Sequence, residues 1–335
     1  MLYVRAPSRA RAYYAGNSAL GKGYEWSFIC YSGRMILKAQ VDTLDKYEVL
    51  LFYKYIDIDA PQELAAWVKD RATALALTGR VIVAHEGING TLEGVVENTE
   101  AFAREFLADP RFSDVQIKRS KGTGGSFPKL SVKVRKEIVG TGFREEEANP
   151  RVKTAPRISP EELRKWYEER RDFVVVDMRN NYEFASGHFK NSVQPDISSS
   201  RHLPLAMRRL EPLKDKTVVT VCTGGIRCEK MAAYLQNKGF SNVQQLDGGI
   251  HSYMEKYPGR DFLGTLYTFD QRATMHFGGD REVIGKCRLC GATSEWYADC
   301  AELSCHLHFI ACEKCRASDG SAYCSDECAQ VRYAA

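Results

Sequence analysis

The 335-residue chain lacks several features that would assign it directly to a known class. No apolar run approaches the roughly 18 residues that a membrane-spanning helix needs, so no membrane association is expected. No glycine-rich dinucleotide loop is present, so neither a flavin nor a nicotinamide cofactor is predicted. The seven histidines form no recognisable two-histidine-one-carboxylate set for iron. Cysteine is therefore the residue type to examine for chemistry.

Acidic residues are absent from the beginning of the chain. Four basic residues and no apolar core precede Glu25, so we expect no secretory signal. The composition suits an organelle transit peptide, a poorly ordered tail, or an upstream start with Met35 as the functional one. We expect residues 1–45 to be a poorly ordered extension.

Charge is unevenly distributed along the chain. The formal net charge is only +4, but residues 111–157 hold twelve Lys/Arg against five Asp/Glu. Such a segment is either a solvated face or a surface that binds a polyanion. The candidate polyanion-binding residues are Lys118, Arg119, Lys121, Lys129, Lys133 and Arg135.

The segment 46–145 has the pattern of a compact α+β domain. Strands with alternating or β-branched residues are interrupted by two stretches with apolar residues at helical spacing. The order βαββαβ predicts a ferredoxin-like sandwich. The predicted elements are strand 47–55, helix 61–77, strand 79–84, a strand from Thr91, a helix from about 99 to 108, and strand 130–139.

A parallel α/β domain is predicted after a linker at 146–158. Ser159 suits the N-cap of a helix, Pro160 suits its first position, and Glu162 completes a capping box. Strands then alternate with helices up to about residue 262, which is typical of a parallel sheet covered on both faces. Ligands of such sheets bind at the carboxyl ends of the strands.

Cys222 stands at one of these strand ends. It follows the β-branched run 217–221, and two glycines and Arg227 separate it from a helical segment. A thiol in a tight loop above a helix N-terminus is stabilised as a thiolate by backbone N–H groups and the helix dipole. Arg227 adds a fixed positive charge. We therefore predict that Cys222 and Arg227 are catalytic.

The length of the loop from Cys222 to Arg227 limits the size of the group that it can hold. The spacing is C-x4-R, one residue shorter than the C-x5-R loop that surrounds a phosphate group, so it suits a single sulfur carried as a persulfide. The loop resembles the active-site loop of rhodanese domains. Asp177 and Arg179, at the end of another β-rich run, are further catalytic candidates, or else an ordinary strand-end ion pair. Cys228 is a candidate resolving thiol for an oxidised Cys222; the alternative is a packing role.

The tail holds eight of the eleven cysteines. After a connector at 263–286, residues 287–335 carry four close pairs, the number that two tetrahedral zinc sites need. Disulfides are the alternative, and His306 or His308 is a possible substitute for a cysteine. Which pair joins which is left open, and an interleaved arrangement is one possibility. The predicted structural zinc ligands are Cys287, Cys290, Cys300, Cys305, Cys312, Cys315, Cys324 and Cys328.

Taken together, residues 46–328 resemble the tRNA uridine(34) hydroxylases, a bacterial rhodanese-like family. The combination of segments is specific, whereas a rhodanese loop alone would not be. The segments that carry the resemblance are Tyr53–Tyr55, Glu86–Thr91, Val134–Val139, Asp177–His188, Cys222–Lys230, Gly248–Ile250, Phe269–Arg272 and the cysteine tail.

The resemblance implies an oxidoreductase of the cytoplasm that converts the wobble uridine of tRNA to 5-hydroxyuridine, with molecular oxygen as co-substrate. It implies Cys222 as the active-site residue and the tRNA anticodon loop as partner, with the unpaired base splayed towards the thiol. Cys222 would act at the uracil ring or on an oxygen species, while Arg227 and the loop amides hold developing negative charge. Two alternatives remain open: a sulfurtransferase carrying a Cys222 persulfide, from an unidentified donor, and a non-catalytic RNA- or protein-binding adaptor.

Overall fold

A computed structural model describes residues 24–31, 34–41, 46–278 and 282–331. The strands are β1 (Tyr24–Tyr31), β2 (Arg34–Val41), β3 (Tyr47–Tyr55), β4 (Thr78–Ala84), β5 (Gly87–Val95), β6 (Lys118–Lys121), β7 (Leu130–Val134), β8 (Arg157–Ile158), β9 (Val174–Asp177), β10 (Gly187–Phe189), β11 (Thr217–Val221), β12 (Asn242–Leu246), β13 (Phe262–Gly264), β14 (Leu266–Tyr267), β15 (Thr274–Met275), β16 (Tyr297–Asp299) and β17 (His308–Ile310). The helices are α1 (Pro61–Ala74), α2 (Val96–Ala108), α3 (Pro160–Glu168), α4 (Asn181–Ser186), α5 (Leu203–Leu210), α6 (Ile226–Asn237), α7 (Gly249–Lys256) and α8 (Asp326–Val331).

The predicted N-terminal extension contains one antiparallel strand pair, β1 with β2. For residues 1–23, 32–33 and 42–45, the expectation of poor order lies outside the described residues. No helix in the described part of the chain is long and apolar enough to cross a bilayer.

The first large sheet has five strands in the order β6-β3-β5-β4-β7. Strand β5 pairs antiparallel with both β3 and β4, and β6 pairs antiparallel with β3. With α1 after β3 and α2 after β5, these four strands have the βαββαβ connectivity of a ferredoxin-like sandwich. The predicted fold of this part is confirmed.

The assignment of the last strand was wrong. Residues 130–139 were predicted to close the βαββαβ unit, but only Leu130–Val134 forms a strand, and it pairs in parallel with β4 at the far edge. The closing strand is instead β6, whose sequence Lys-Arg-Ser-Lys predicts a basic surface but not a strand. Four polar residues carry no apolar alternation, so the strand had no signal in the sequence.

Helices α1 and α2 cover one face of this sheet. Leu50 and Phe52 of β3 are buried in the core beneath them, and the Phe52 and Phe106 ring centroids lie 4.8 Å apart. Side chains alternate along a strand, so Leu51 and Tyr53 lie on the opposite face. That face is turned towards the second sheet.

The second large sheet is parallel throughout, in the order β8-β12-β11-β9. Neighbouring residues of β11 pack into different cores, Val218 on one face and Val219 on the other. This alternation shows a central strand covered on both sides, as the rhodanese-type prediction requires. The loop after β11 therefore opens at the carboxyl edge of the sheet.

Helix α3 begins as predicted, with Ser159 as N-cap and Pro160 in the first turn. The Ser159 hydroxyl accepts the backbone N–H of Glu162 at 3.1 Å. The Glu162 carboxylate, however, accepts the indole N–H of Trp166 at 2.7 Å. The capping box therefore forms only its serine half.

The tail forms a small separate cluster around the pair β16–β17. Its core contains Phe309 and Ala311 together with cysteine side chains, and it has few other apolar groups. The prediction of a small cysteine-rich C-terminal module is confirmed.

Candidate active site and cysteine clusters

The Cys222 side chain lies in the turn between β11 and α6, where the sequence predicted it. Gly225 adopts a φ of +104°, a left-handed conformation that glycine tolerates best, and its backbone N–H points back at the thiol. The Cys222 Sγ accepts this N–H at 3.2 Å. Cys222 has no exposed surface.

The environment favours the thiolate of Cys222. Burial by itself raises the pKa of this thiol, but hydrogen bonds from Cys228 and Gly225 and the charge of Arg227 outweigh it and lower the pKa to about 6. The pKa of Cys228 is raised well above its ordinary value by burial and by the neighbouring Cys222. At neutral pH the pair thus holds one proton, on Cys228.

Arg227 is anchored by a buried carboxylate that sequence reasoning missed. Its guanidinium donates to both oxygens of Glu183, at 2.6 and 2.8 Å, and to the Thr223 hydroxyl at 3.0 Å. Glu183 is fully buried. The only sequence signal was its position in the segment between Asp177 and His188. The arginine is therefore a fixed charge beside the loop rather than a mobile side chain.

Asp177 and Arg179 form a fully buried ion pair. The guanidinium of Arg179 also donates to the backbone carbonyl of Gly187 at 2.6 Å. The pair thus ties the end of β9 to β10. This is the arrangement expected if Asp177 and Arg179 are an ordinary ion pair at a strand end. Neither side chain contacts Cys222 among the described hydrogen bonds, and a catalytic role for them stays a prediction.

The N-terminal sheet covers the thiol loop. A Cβ atom on Gly224 would lie 2.9 Å from the Leu51 side chain, and one on Gly225 would lie 2.8 Å from the Tyr53 hydroxyl. The Tyr55 hydroxyl donates to the Ile226 carbonyl at 3.3 Å. The two glycines thus allow β3 to lie directly against the loop.

Tyr53 and Tyr55 were not predicted as site residues. Their spacing of two in a strand puts both on one face, which was the signal available in the sequence. The Tyr53 hydroxyl donates to the Glu229 carboxylate at 3.2 Å. Burial, followed by the charge of Glu229, raises the pKa of Tyr53 well above its ordinary value, so it remains a hydrogen-bond donor.

Charged and polar groups fasten helix α6 to the N-terminal domain and to the segment 154–157. The buried Lys230 ammonium lies 2.8 Å from Glu86 and 3.0 Å from Glu137. Glu229 receives the Arg157 guanidinium and, at its backbone carbonyl, the Thr154 hydroxyl at 2.8 Å. Segments 86–91, 134–139 and 222–230, which carry the family resemblance, therefore meet at the start of α6.

A cavity of about 250 Å³ lies beside this junction. Lys118 is 8% exposed there, and its ammonium lies 5.5 Å from the Tyr53 ring centroid. Burial lowers the pKa of Lys118. Cys222 itself is not part of the cavity wall. The wall includes Tyr53, Tyr55, Lys118, Arg157, Glu229 and Asp247.

The structure does not bring the predicted polyanion-binding residues together. Strands β6 and β7 are opposite edges of the five-stranded sheet, roughly 19 Å apart at the usual strand spacing. Arg119 is paired with Glu48 and Glu100 on the helical side, while Lys121 is exposed at the end of β6. Lys118 lies at the cavity.

The other three predicted polyanion-binding residues form a second, exposed group. Lys129, Lys133 and Arg135 are exposed at the other edge. Val132 and Val134 pack towards the helices, so Lys133 lies on the same face as Tyr53. The basic residues of β6 and those at β7 would therefore contact different parts of a bound polyanion.

The tail cysteines form two groups of four, and the grouping is interleaved. The ligand atoms in each group lie within 4.8 Å of one another, so each group could hold a metal ion. His306 and His308 belong to neither group; His308 instead contacts Asp299 and Tyr267. Cys222, Cys228 and the eight tail cysteines are all free thiols. The groups are Cys287, Cys290, Cys312 and Cys315, and Cys300, Cys305, Cys324 and Cys328.

Three family descriptions match successive parts of the chain. Residues 47–138 match the UPF0176 acylphosphatase like domain. Residues 159–256 match the Rhodanese-like domain, and residues 263–329 match Rhodanase C-terminal.

Relatives of the chain match it over most of their length. The chain is 38% identical to a tRNA uridine(34) hydroxylase of Corynebacterium jeikeium, over 86% of this chain and 96% of that protein. It is 40% identical to one of Staphylococcus aureus, over 85% of this chain and 90% of that protein. A solved rhodanese-related protein of Thermoplasma volcanium is 29% identical over 30% of this chain and 93% of its own, with a TM-score of 0.25.

Proposed function

The chain belongs to the family of the tRNA uridine(34) hydroxylases, and we propose that it hydroxylates uridine 34 of tRNA to 5-hydroxyuridine, as an oxidoreductase that uses molecular oxygen and Cys222. The observation that carries this proposal is the Cys222 loop. A buried thiol with a pKa of about 6, next to an anchored arginine, is an activated nucleophile. Addition of the Cys222 thiolate to C6 of the uracil ring would make C5 electron-rich, and Arg227 with the loop amides would stabilise the negative charge. After oxygen is added at C5, loss of the C5 proton would expel the thiolate and restore the C5–C6 double bond, so that Cys222 is free again.

We propose that the anticodon loop docks between the two edges of the N-terminal sheet. The exposed Lys133 and Arg135 supply charge for the RNA backbone. The cavity beside Tyr53 and Lys118 offers an aromatic surface and a buried ammonium for a splayed nucleotide. A tRNA substrate implies a cytoplasmic protein.

We propose that each cysteine group holds one structural zinc ion. A tetrahedral zinc site with metal–sulfur bonds of about 2.3 Å has sulfurs about 3.8 Å apart. Sulfur pairs in both groups are separated by 3.6 Å, for example Cys290 with Cys312 and Cys305 with Cys324. Four thiolates fill the coordination sphere, so the ions would hold the module together and leave no position for substrate.

Mass spectrometry of tRNA nucleosides tests the proposed activity. Purified protein is incubated in air with tRNA that carries an unmodified U34, and the digest is searched for uridine with one added oxygen atom. We expect 5-hydroxyuridine with the wild type and none with Cys222→Ala, because the thiolate is the reacting group. A tRNA with cytidine at position 34 and an oxygen-free reaction are the matched controls.

The sulfurtransferase alternative gives a different result in the same preparation. The Gly225 N–H that holds the Cys222 sulfur would also hold a persulfide. Transfer of sulfur from thiosulfate to cyanide, with no oxygen added to U34, would replace the hydroxylase proposal by that alternative.

A further inference from the structure

Cys222 and Cys228 form a buried pair of thiols at the centre of the site. Cys222 directly follows β11, and Cys228 lies in the first turn of α6. Both side chains have 0% exposure. The Cys222 sulfur accepts the N–H of Gly225, the N-cap of α6, at 3.2 Å, and Cys228 is the third residue of that helix.

The two thiols differ in protonation, as the two partners in disulfide formation do. Disulfide formation joins one sulfur that acts as nucleophile to a second sulfur, and it needs the two in contact. Cys222 is the thiolate and Cys228 keeps its proton. Burial excludes thiols in solution, so Cys228, which is buried in the same turn, is the thiol best placed to react with Cys222.

We infer that Cys222 and Cys228 together supply the two electrons of the hydroxylation and end each turnover as a disulfide. The inference rests on the proposed function. Replacing the uracil C5–H by C5–OH uses one atom of molecular oxygen, and the other leaves as water. The O–O bond breaks and is reduced by two electrons and two protons, which the two thiols release as their S–S bond forms. Uridine, oxygen and dithiol thus become 5-hydroxyuridine, water and disulfide, and the equation balances.

This chemistry requires a second reaction that regenerates the enzyme. The disulfide must be reduced before the next turnover, so a thiol reductant is a required co-substrate of the steady state. The reductant must reach sulfurs that β3 covers in the closed arrangement, where Leu51 lies against Gly224 and Tyr53 against Gly225.

A single-turnover experiment without reductant tests the inference. Reduced protein is freed of dithiothreitol without oxygen, mixed with U34 tRNA and exposed to air. After alkylation and denaturation, trypsin cuts between Arg227 and Cys228, so a disulfide is the only link between peptides Thr217–Arg227 and Cys228–Lys230. We expect one linked peptide pair for each 5-hydroxyuridine formed, and further product only after dithiothreitol is added.

Two substitutions of Cys228 separate electron donation from hydrogen bonding. Cys228→Ser keeps a donor to the Cys222 sulfur but cannot form a disulfide, and Cys228→Ala does neither. We expect both variants to lose the single-turnover product, while circular dichroism shows them folded. If Cys228→Ser yields as much product as the wild type, Cys228 is only a hydrogen-bond donor and the inference is overturned.

The same experiment separates this inference from the proposed function. Wild-type protein that makes 5-hydroxyuridine with Cys222 and Cys228 still separately alkylated refutes the dithiol alone. Wild-type protein that makes none even with excess dithiothreitol refutes the hydroxylase proposal and the dithiol with it.

Discussion

The carboxylate of Glu183 holds the guanidinium of Arg227 through two hydrogen bonds, of 2.6 and 2.8 Å, and both side chains are buried. The positive charge beside the thiol loop is thus fixed in position by an element 44 residues earlier in the chain. The catalytic loop is therefore built by the tertiary fold as well as by its own sequence.

Glu183→Gln should lower the free energy of unfolding by about 3–5 kcal/mol, because it leaves the buried Arg227 charge without its counter-ion. Urea denaturation followed by circular dichroism measures this. Glu168→Gln, which breaks the exposed pair with Arg164, is the control and should change the stability much less. Equal effects of the two substitutions would contradict a structural role for the buried pair.

The Cys222 thiolate should appear as the pH rises through about 6. Because a lowered thiol pKa favours the anion, hydroxylation should fall in acid below that value and be nearly independent of pH above it. The difference in ultraviolet thiolate absorbance between wild type and Cys222→Ser follows the same titration. A midpoint near the ordinary cysteine value would show that the loop does not stabilise the thiolate.

Gly225→Ala should abolish activity, because the new Cβ combines a left-handed backbone with a 2.8 Å approach to the Tyr53 hydroxyl. Gly239→Ala is the matched control: its φ is +88°, but nothing lies within 4 Å of the added atom. Both should lose about 1–2 kcal/mol from the backbone conformation. The hydroxylation rate should differ strongly between them, and equal rates would show that contact of β3 with the loop is not needed.

The double substitution Lys133→Ala and Arg135→Ala should weaken tRNA binding and its salt dependence. Each lost phosphate contact lowers the slope of log affinity against log salt by roughly 0.7–0.9. Fluorescence anisotropy at several salt concentrations measures the slope. Lys69→Ala, on the exposed side of α1, removes a charge from the opposite face of the sheet and should leave the slope unchanged.

Protein purified without chelator should contain two zinc ions per chain by elemental analysis, one for each group of four cysteines. Cys315→Ala should reduce the content to one, because three ligands hold the ion less tightly. Cys228→Ser lies outside both groups and should keep two. Metal-free wild-type protein with a folded tail would contradict the zinc proposal.

The sequence predicted the parts of the molecule whose signals are local. The run that ends at Cys222, the Ser159 cap and the close cysteine pairs each depend on neighbours in the chain, and the structure has them where they were expected. Strand β6 was missed because its four residues become a strand only by pairing with β3, about 70 residues away.

The site residues also divide into those with a local signal in the sequence and those brought in by the tertiary fold. Glu183 and Tyr53 reach the loop through contacts between distant segments, so their place at the site depends on the tertiary fold. The basic residues were grouped because they are close in sequence, but β6 and β7 join opposite edges of the sheet. Proximity along the chain was therefore a poor guide wherever sheet order decides position.

The interleaved cysteine groups have a consequence for proteolysis. A cut between Cys305 and Cys312 leaves two ligands of each group on either side of the break. With both ions bound, the two fragments remain joined through two separate metal bridges, although no peptide bond connects them. A nicked tail should therefore migrate as one species under native conditions and come apart only when a chelator removes the metal.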